Sequence, residues 1–299
     1  MSWILTRKLL RDLRVGLIAV CVLLCVFEFL WCKVTQQSVQ FMRELEWQLP
    51  GGASQFTELL FQQEAGKMIQ KLIGGENVSL GEGRDSLTIG YVHPLVLTIL
   101  CVWAVGRAAG AVAGELDKGT MELLLAQPIA RWRVIASHLC VDALTVPAVC
   151  LAMWAGTLVG AFAFDLPALT AQDGNGTRAV RPWAFGLALP NVAALLFAVS
   201  GITMLLSSLG RFRTRVLGIA VLLTLVQFLV NLLGQMWTAI EPLRPFTVFY
   251  YYQPQPVLLD VYGAAQQLAG NVATLAAVGL TGYAAALAVF CRRDLPAPL

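Results

Sequence analysis

Six long apolar stretches dominate the chain and set what it can fold into. They cover residues 15–31, 91–113, 134–164, 186–209, 216–240 and 271–291. A helix needs about 20 apolar residues to cross a hydrocarbon layer of roughly 30 Å, and each stretch meets or approaches that length. Only 13% of the 299 residues are charged, while 58% are apolar, so a water-facing surface cannot be built. We predict an all-α integral membrane protein with six transmembrane helices, forming a single transmembrane domain over 1–299.

Lysine and arginine lie mostly on one side of these six spans. With the N-terminus in the cytoplasm, the inside segments 1–14, 107–133, 210–215 and 292–299 carry 13 basic residues in 55 positions, and the outside segments carry 8 in 109. Loops rich in Lys and Arg remain in the cytoplasm. This distribution predicts a multi-pass protein of the cytoplasmic (inner) membrane with both termini inside.

Two segments outside the spans have helical patterns of their own. Residues 3–13 place Trp3 and four leucines on one side of a helical wheel and three cations on the other, which Arg14 extends, as in helices that lie in the membrane interface. We predict an amphipathic interfacial helix over 1–14 that then turns into the first span. In the outer loop 33–90, apolar residues at helical spacing predict a second helix over 54–72.

The sequence contains no motif for catalysis or for holding a cofactor. It has no Walker-type phosphate loop, no H-E-x-x-H zinc motif and no G-x-S-x-G nucleophile elbow. Its two histidines, His93 and His138, lie on different spans and are too few for a metal site. The net charge of +3 is small and the cations form no long patch, which argues against nucleic acid as a partner. We expect a chain that is not an enzyme and that holds no metal and no cofactor of its own.

Ionisable residues inside spans are costly and therefore point to a role. His138 and Asp142 are one helical turn apart on the third span, and Arg107 lies near the inner end of the second. The spacing favours a polar clamp in which Arg107 pairs with Asp142 between adjacent spans, and a proton relay or an inner gate built from the same three residues remains an alternative. Glu28, near the outer end of the first span, is expected to reach the interface with its carboxylate.

The segment 114–131, between the second and third spans, predicts a short helix at the cytoplasmic surface. Thr120 is the expected N-cap, and Glu122 places a negative charge in the first turn. Pro128 disfavours helical geometry at the residue before it and so ends the helix. Met121, Leu124 and Leu125 then share one face and offer an apolar knob to a cytoplasmic partner.

This segment resembles the signature of a known transporter family. The run E-x-x-x-G-T-x-E-x-L-L-x-x-P-x-x-R, from Glu115 to Arg131, is similar to that of ABC-2 type permeases, the membrane subunits of ATP-binding-cassette exporters, and most similar to the branch of permeases associated with maturation of copper-containing enzymes. Six spans, an amphipathic N-terminal helix and cytoplasmic termini also match that fold. The resemblance therefore covers most of the chain.

The resemblance implies a mechanism and a set of partners. In this family the segment contains a coupling helix that sits in a cleft of a separate ATPase subunit, which binds the ATP and Mg, and two permease copies form a homodimer or heterodimer. The implied function is export of a substrate that the sequence does not identify. The residues expected at the ATPase interface are Glu115, Asp117, Gly119, Thr120, Met121, Glu122, Leu124, Leu125, Pro128 and Arg131.

Two other functions remain open on the sequence alone. The same ATP-driven movement can act mechanically on an extracytoplasmic partner through 33–90, without carrying a solute. The chain can also be an ATP-independent carrier, in which case Asp142 and His138 become the candidate ion pathway.

Overall fold

The computed structural model describes residues 2–48, 83–127, 130–171 and 179–293. Within these ranges the chain is helical and has no strand. Six helical stretches are long and apolar enough to cross a membrane: Trp3–Glu44, Gly83–Ala109, Trp132–Ala163, Pro182–Leu209, Arg213–Met236 and Ala264–Arg292. This confirms the predicted all-α class with six candidate spans. The helix predicted over 54–72 lies outside the described residues.

Helix α1 (Ser2–Gln48) corrects the prediction for the N-terminus. Its 47 residues form one unbroken helix of about 70 Å, so no separate interfacial helix turns into the first span. Leucine, arginine and valine around residue 14 are compatible with helix, and no proline interrupts them. The amphipathic residues 3–13 are instead the first turns of the same continuous helix, where Trp3 and Ile4 remain exposed.

The second span is made of two helices that meet at a single residue. Helix α2 (Gly83–Val92) is followed by His93 and then by α3 (Pro94–Ala109). Proline at the first position starts α3 with a preset backbone angle, and the Nδ1 of His93 accepts a hydrogen bond of 3.2 Å from the backbone N–H of Leu95. The span therefore begins earlier than the predicted residue 91 and ends earlier than 113.

The remaining helices follow in chain order. They are α4 (Ala113–Asp117), α5 (Thr120–Leu125), α6 (Trp132–Ala163), α7 (Leu166–Ala171), α8 (Leu189–Leu209), α9 (Arg213–Met236), α10 (Gln255–Leu258) and α11 (Ala264–Arg292). Three 3-10 segments, Pro182–Ala188, Glu241–Phe246 and Val248–Tyr251, precede α8 or connect α9 to α10. The fifth span ends at Met236 and not at the predicted residue 240, because the backbone of Trp237 is extended (φ −132°, ψ 112°).

Two pairs of closely packed helices organise the bundle. Helix α1 packs along α6, and α8 packs along α11. Glycines allow the backbones to approach: a Cβ added at Gly156 would lie 2.8 Å from the Cα of Cys25, and one at Gly201 would lie 2.8 Å from the Cα of Gly279. Small residues at such crossings are how membrane helices gain dispersion contact without a hydrophobic driving force.

Helix α9 is the least enclosed span. It contacts α3, the segment after it and the C-terminal end of α8, and most of its apolar side chains point away from the bundle. Leu222 is 62% exposed and Ile219 is 56% exposed. In a membrane protein such a face meets lipid or another chain.

Candidate functional site

The loop between α3 and α6 is fastened to α8 where it begins. The Ser207 Oγ accepts hydrogen bonds of 3.1 Å from the backbone N–H groups of Val112 and Ala113, and it donates one of 3.0 Å to the carbonyl of Ala109. One buried hydroxyl thus satisfies backbone groups that the end of α3 leaves open. The loop cannot move at this point without moving the fourth span.

Gly119 and Thr120 join α4 to α5 in a way that differs from the prediction. Gly119 is the residue before α5 and adopts a left-handed backbone (φ 69°), which glycine allows at little cost. Thr120 is the first helical residue and not the N-cap. Its hydroxyl donates instead to the Glu115 carboxylate at 2.5 Å and contacts the Glu115 carbonyl at 3.2 Å. Thr120 therefore locks the two short helices together.

Helix α5 inserts one side into the protein and leaves the other outside. Met121 is 1% exposed and packs in a cluster with Val134, Met204, Tyr283 and other residues of α6, α8 and α11. The prediction that Met121 belongs to an apolar knob offered to a partner is therefore wrong. Leu125 is partly buried against the same cluster.

The outer side of α5 carries a different set of side chains. Leu123 is 71% exposed, and Asp117, Gly119 and Glu122 are exposed as well. We call these four residues, together with Lys118, the loop surface. Pro128 and the side chain of Leu124 lie outside the described residues. A helix that buries Met121 has to expose Leu123, two residues away, because consecutive positions are 100° apart around the axis.

Arg131 and Arg293 close the loop at its other end. The guanidinium of Arg131 donates to the carbonyl of Arg293 at 2.7 Å. Arg293 in turn donates to the carbonyls of Ser208 at 2.7 Å and Gly210 at 2.9 Å, which are open acceptors at the C-terminal end of α8. The loop, the last span and the turn between the fourth and fifth spans are thereby linked.

Behind the loop, a buried polar cluster joins three spans. Arg107 of α3 forms an ion pair with Asp142 of α6, and the hydroxyl of Tyr283 on α11 donates to the same carboxylate oxygen. Tyr283 also contacts the Arg107 guanidinium at 2.9 Å and stacks on Phe197 of α8, with ring centroids 5.6 Å apart. The predicted Arg107–Asp142 pairing is thus present. His138 lies one turn before Asp142, buried beside the backbone of Ala111.

Sequence reasoning missed three residues of this arrangement: Ser207, Tyr283 and Arg293. Tyr283 is the partner most visible in hindsight, because its hydroxyl is surrounded by apolar residues over 271–291 and therefore has to find a buried partner. Which partner it finds depends on a tertiary contact across 141 positions, and local spacing does not encode such a contact.

Glu28 does not reach the membrane surface as predicted. It is fully buried where α1 meets α2 and α6, and its Oε2 accepts from the Thr157 hydroxyl at 3.4 Å. Thr157 also contacts the Tyr91 hydroxyl at 3.1 Å. Outside the spans, Tyr252 closes this region by donating to the carbonyl of Tyr91 at 2.6 Å, and burial raises the pKa of Tyr252 well above its ordinary value.

Six helical stretches long and apolar enough to cross a membrane define the class as a multi-pass membrane protein. The family model described as ABC-2 family transporter protein matches residues 3–295. The chain therefore belongs to the ABC-2 transporter permeases, whose members are membrane transport subunits and are not themselves catalytic. No curated relative and no solved structure matches the chain.

Family membership indicates two kinds of partner. ABC-2 permeases work with an ATPase subunit and commonly dimerise. Among the described residues, no group of three or more His, Cys, Asp or Glu side chains is arranged to hold a metal ion.

Proposed function

We propose that the chain is the permease subunit of an ATP-binding-cassette exporter and that a separate ATPase docks on the loop surface. The observation that carries this proposal is that α5 buries one side in the permease and exposes the other. Met121 is held in the core of the permease, while Glu122 and Leu123, one and two positions on, face outward. A short helix of this kind can transmit a displacement from a partner bound to its exposed side to the spans packed against its buried side.

The contacts of α5 indicate which spans a displacement of this helix would reach. Met121 shares its cluster with Tyr283, and Tyr283 contacts both Arg107 and Asp142. A displacement of α5 therefore meets the second, third and sixth spans through one buried cluster. Ser207 and the Arg131–Arg293 link extend the same movement to the end of the fourth span. We infer that these contacts are the coupling route.

The remaining parts of the mechanism follow the family pattern. The partner ATPase binds ATP and Mg, the permease works as a homodimer or heterodimer, and the substrate moves outward across the cytoplasmic membrane. The loop surface and both termini face the cytoplasm in this proposal, supported by the concentration of Lys and Arg in the segments on that side. Of the residues predicted at the interface, we now assign Asp117, Gly119 and Glu122 to docking, and Glu115, Thr120, Met121, Leu125 and Arg131 to holding the loop in shape. Leu123, which the sequence did not predict at the interface, joins the docking residues because its side chain is exposed.

Reversing one charge on the loop surface tests the docking. The tagged permease is co-expressed with its ATPase and purified in mild detergent, and vanadate-sensitive ATP hydrolysis is assayed in the eluate. Glu122→Arg replaces an exposed anion by a cation at the centre of the loop surface, so we expect co-purified ATPase activity to fall at least tenfold. Membrane insertion and the yield of the permease remain unchanged, because the side chain has no buried contact.

Asp12→Arg is the matched control. Asp12 is also exposed and lies in α1 on the side of the membrane predicted to be cytoplasmic, so this substitution makes the same change in charge away from the loop. We expect it to retain the ATPase. Equal losses in both variants, or full retention in Glu122→Arg, would contradict docking at α5.

A mechanical output is the second candidate, and the length of α1 favours it. At about 70 Å, α1 is more than twice the thickness of the hydrocarbon layer, and its outer part is tied to the segment that follows α6. Gln36 donates to the carbonyl of Phe164 at 3.1 Å, and Arg43 donates to the carbonyl of Leu169. A mechanical output predicts a complex that hydrolyses ATP but drives no solute flux in vesicles, and that loses an extracytoplasmic partner when residues 54–72 are deleted.

A further inference from the structure

A cavity of about 460 Å³ lies between α3 and α9 and is open along one side. It follows α9 from Arg213 to Phe228, a length of about 22 Å at 1.5 Å per residue. One leaflet of a bilayer has a hydrocarbon thickness of about 15 Å. The groove is therefore long enough to hold a complete acyl chain of one leaflet.

The walls of the groove offer almost no polar recognition along this length. Val102, Leu217 and Val221 are typical of the lining. The two threonines in it, Thr98 and Thr224, donate to the carbonyls of Pro94 and Ala220 in their own helices, at 2.7 Å and 2.8 Å. Their hydroxyl donors are thus used, and the body of the groove suits hydrocarbon.

Arg213 gives one end of the groove a positive charge. Its side chain lines the cavity beside Gly110 and Gly114, where added Cβ atoms would each lie 3.5 Å from it. In the described part of the chain, no carboxylate forms an ion pair with Arg213, and no acceptor bonds to it. Glu115, next to Gly114, uses its carboxylate on Thr120.

The neighbouring charges select the sign of the ligand. Arg211 and Arg215 flank Arg213, all three are exposed, and residues 210–219 contain no acid. A second copy that covered the groove through a two-fold axis would add its own three arginines to the same interface, with no acid from 210–219 to neutralise them. An anionic lipid brings the opposite charge, and a guanidinium binds a phosphate through two parallel hydrogen bonds.

We propose that this groove is a binding site for one anionic phospholipid, with an acyl chain between α3 and α9 and its phosphate on Arg213. The site goes beyond the proposed transport function and does not depend on the ATPase. The lipid holds α9 against α3, because α9 otherwise has few contacts with the bundle.

Lipid titration of the purified permease tests the site. Phosphatidylglycerol and phosphatidylcholine with identical acyl chains are added in mild detergent, and retained lipids are counted by native mass spectrometry. We expect one phosphatidylglycerol to be retained in preference to phosphatidylcholine. Arg213→Gln weakens its binding about fivefold to tenfold, whereas Arg215→Gln, whose guanidinium lies 4.9 Å over the Phe212 ring and outside the cavity, changes it less than twofold.

A second pair of variants tests the location. Val221→Trp fills the groove and abolishes retention, while Val226→Trp, on the same helix but outside the lining, preserves it. Equal weakening of phosphatidylglycerol binding by Arg213→Gln and Arg215→Gln would show that the lipid is attracted to the arginines of 211–215 in general, and would overturn the site. Dissociation of a permease dimer by Val221→Trp with lipid binding unchanged would show that a second copy covers the groove, and would also overturn it.

Discussion

Arg107, Asp142 and Tyr283 show what single residues contribute to this bundle. Arg107 and Asp142 are almost completely buried, and the Nε and Nη1 atoms of Arg107 have no hydrogen-bond partner among the described residues. The ion pair is therefore the main compensation for a charge held away from water. Removal of the Asp142 carboxylate alone would leave the Arg107 guanidinium charged and unpaired in a low-dielectric interior.

Asp142→Asn is expected to destabilise the permease by about 3 to 5 kcal/mol, because it removes the anion and retains the cation. Replacing the whole cluster by Arg107→Met, Asp142→Leu and Tyr283→Phe together is expected to recover most of that loss. Thermal unfolding in detergent measures both. A melting temperature of Asp142→Asn equal to that of the wild type would rule out a stabilising role for the pair.

The sequence predicted part of this cluster. Arg107 and Asp142 stood out because charges are rare in apolar spans, and charge complementarity suggested the pairing. Tyr283 and Met121 did not stand out in this role, because aromatic and apolar residues are ordinary at their positions. Their partners are distant in sequence, and only the packing of α5 and α11 around α6 brings them together.

At the scale of elements, close contact between backbones holds the helix pairs. Gly201 of α8 meets Gly279 of α11, and a Cβ there would lie 2.8 Å from the facing Cα. Neither main chain can give way without separating the two helices. Gly270, on α11, has no atom within 4 Å of the position its Cβ would take.

Gly201→Ala is therefore expected to cost about 1 to 3 kcal/mol through overpacking. Gly270→Ala is expected to be neutral or to stabilise by up to about 1 kcal/mol, because alanine is the better helix former. The same unfolding assay in detergent compares them. A Gly201→Ala variant as stable as Gly270→Ala would contradict direct backbone packing between α8 and α11.

Helices were easier to predict from the sequence than their ends and breaks. The length of the apolar stretches located all six spans, since only a membrane-crossing helix explains so many consecutive uncharged positions. The interfacial helix over 1–14 was wrong because its amphipathic pattern also suits the entry of a long span, and no proline lies near residue 14. Helix α9 ends at Met236 because the backbone of Trp237 is extended, and a tryptophan gives no sequence signal for the end of a helix.

At the scale of the whole molecule, buried contacts join the loop to four spans while α9 remains largely outside them. This division suits a permease in which the four joined spans move with the ATPase and α9 moves separately from them. Orientation in the membrane rests on the distribution of Lys and Arg, and ATPase docking rests on which side of α5 is exposed.

The most direct measurement places a photoreactive benzophenone amino acid at position 123, where the side chain is 71% exposed, in cells that express the permease with its ATPase. Position 222, 62% exposed on α9, is the control. Irradiation is expected to crosslink position 123 to the ATPase and position 222 to no ATPase. An ATPase that co-purifies with the permease but crosslinks at neither position 123 nor positions 118 and 122 would contradict docking on the loop surface.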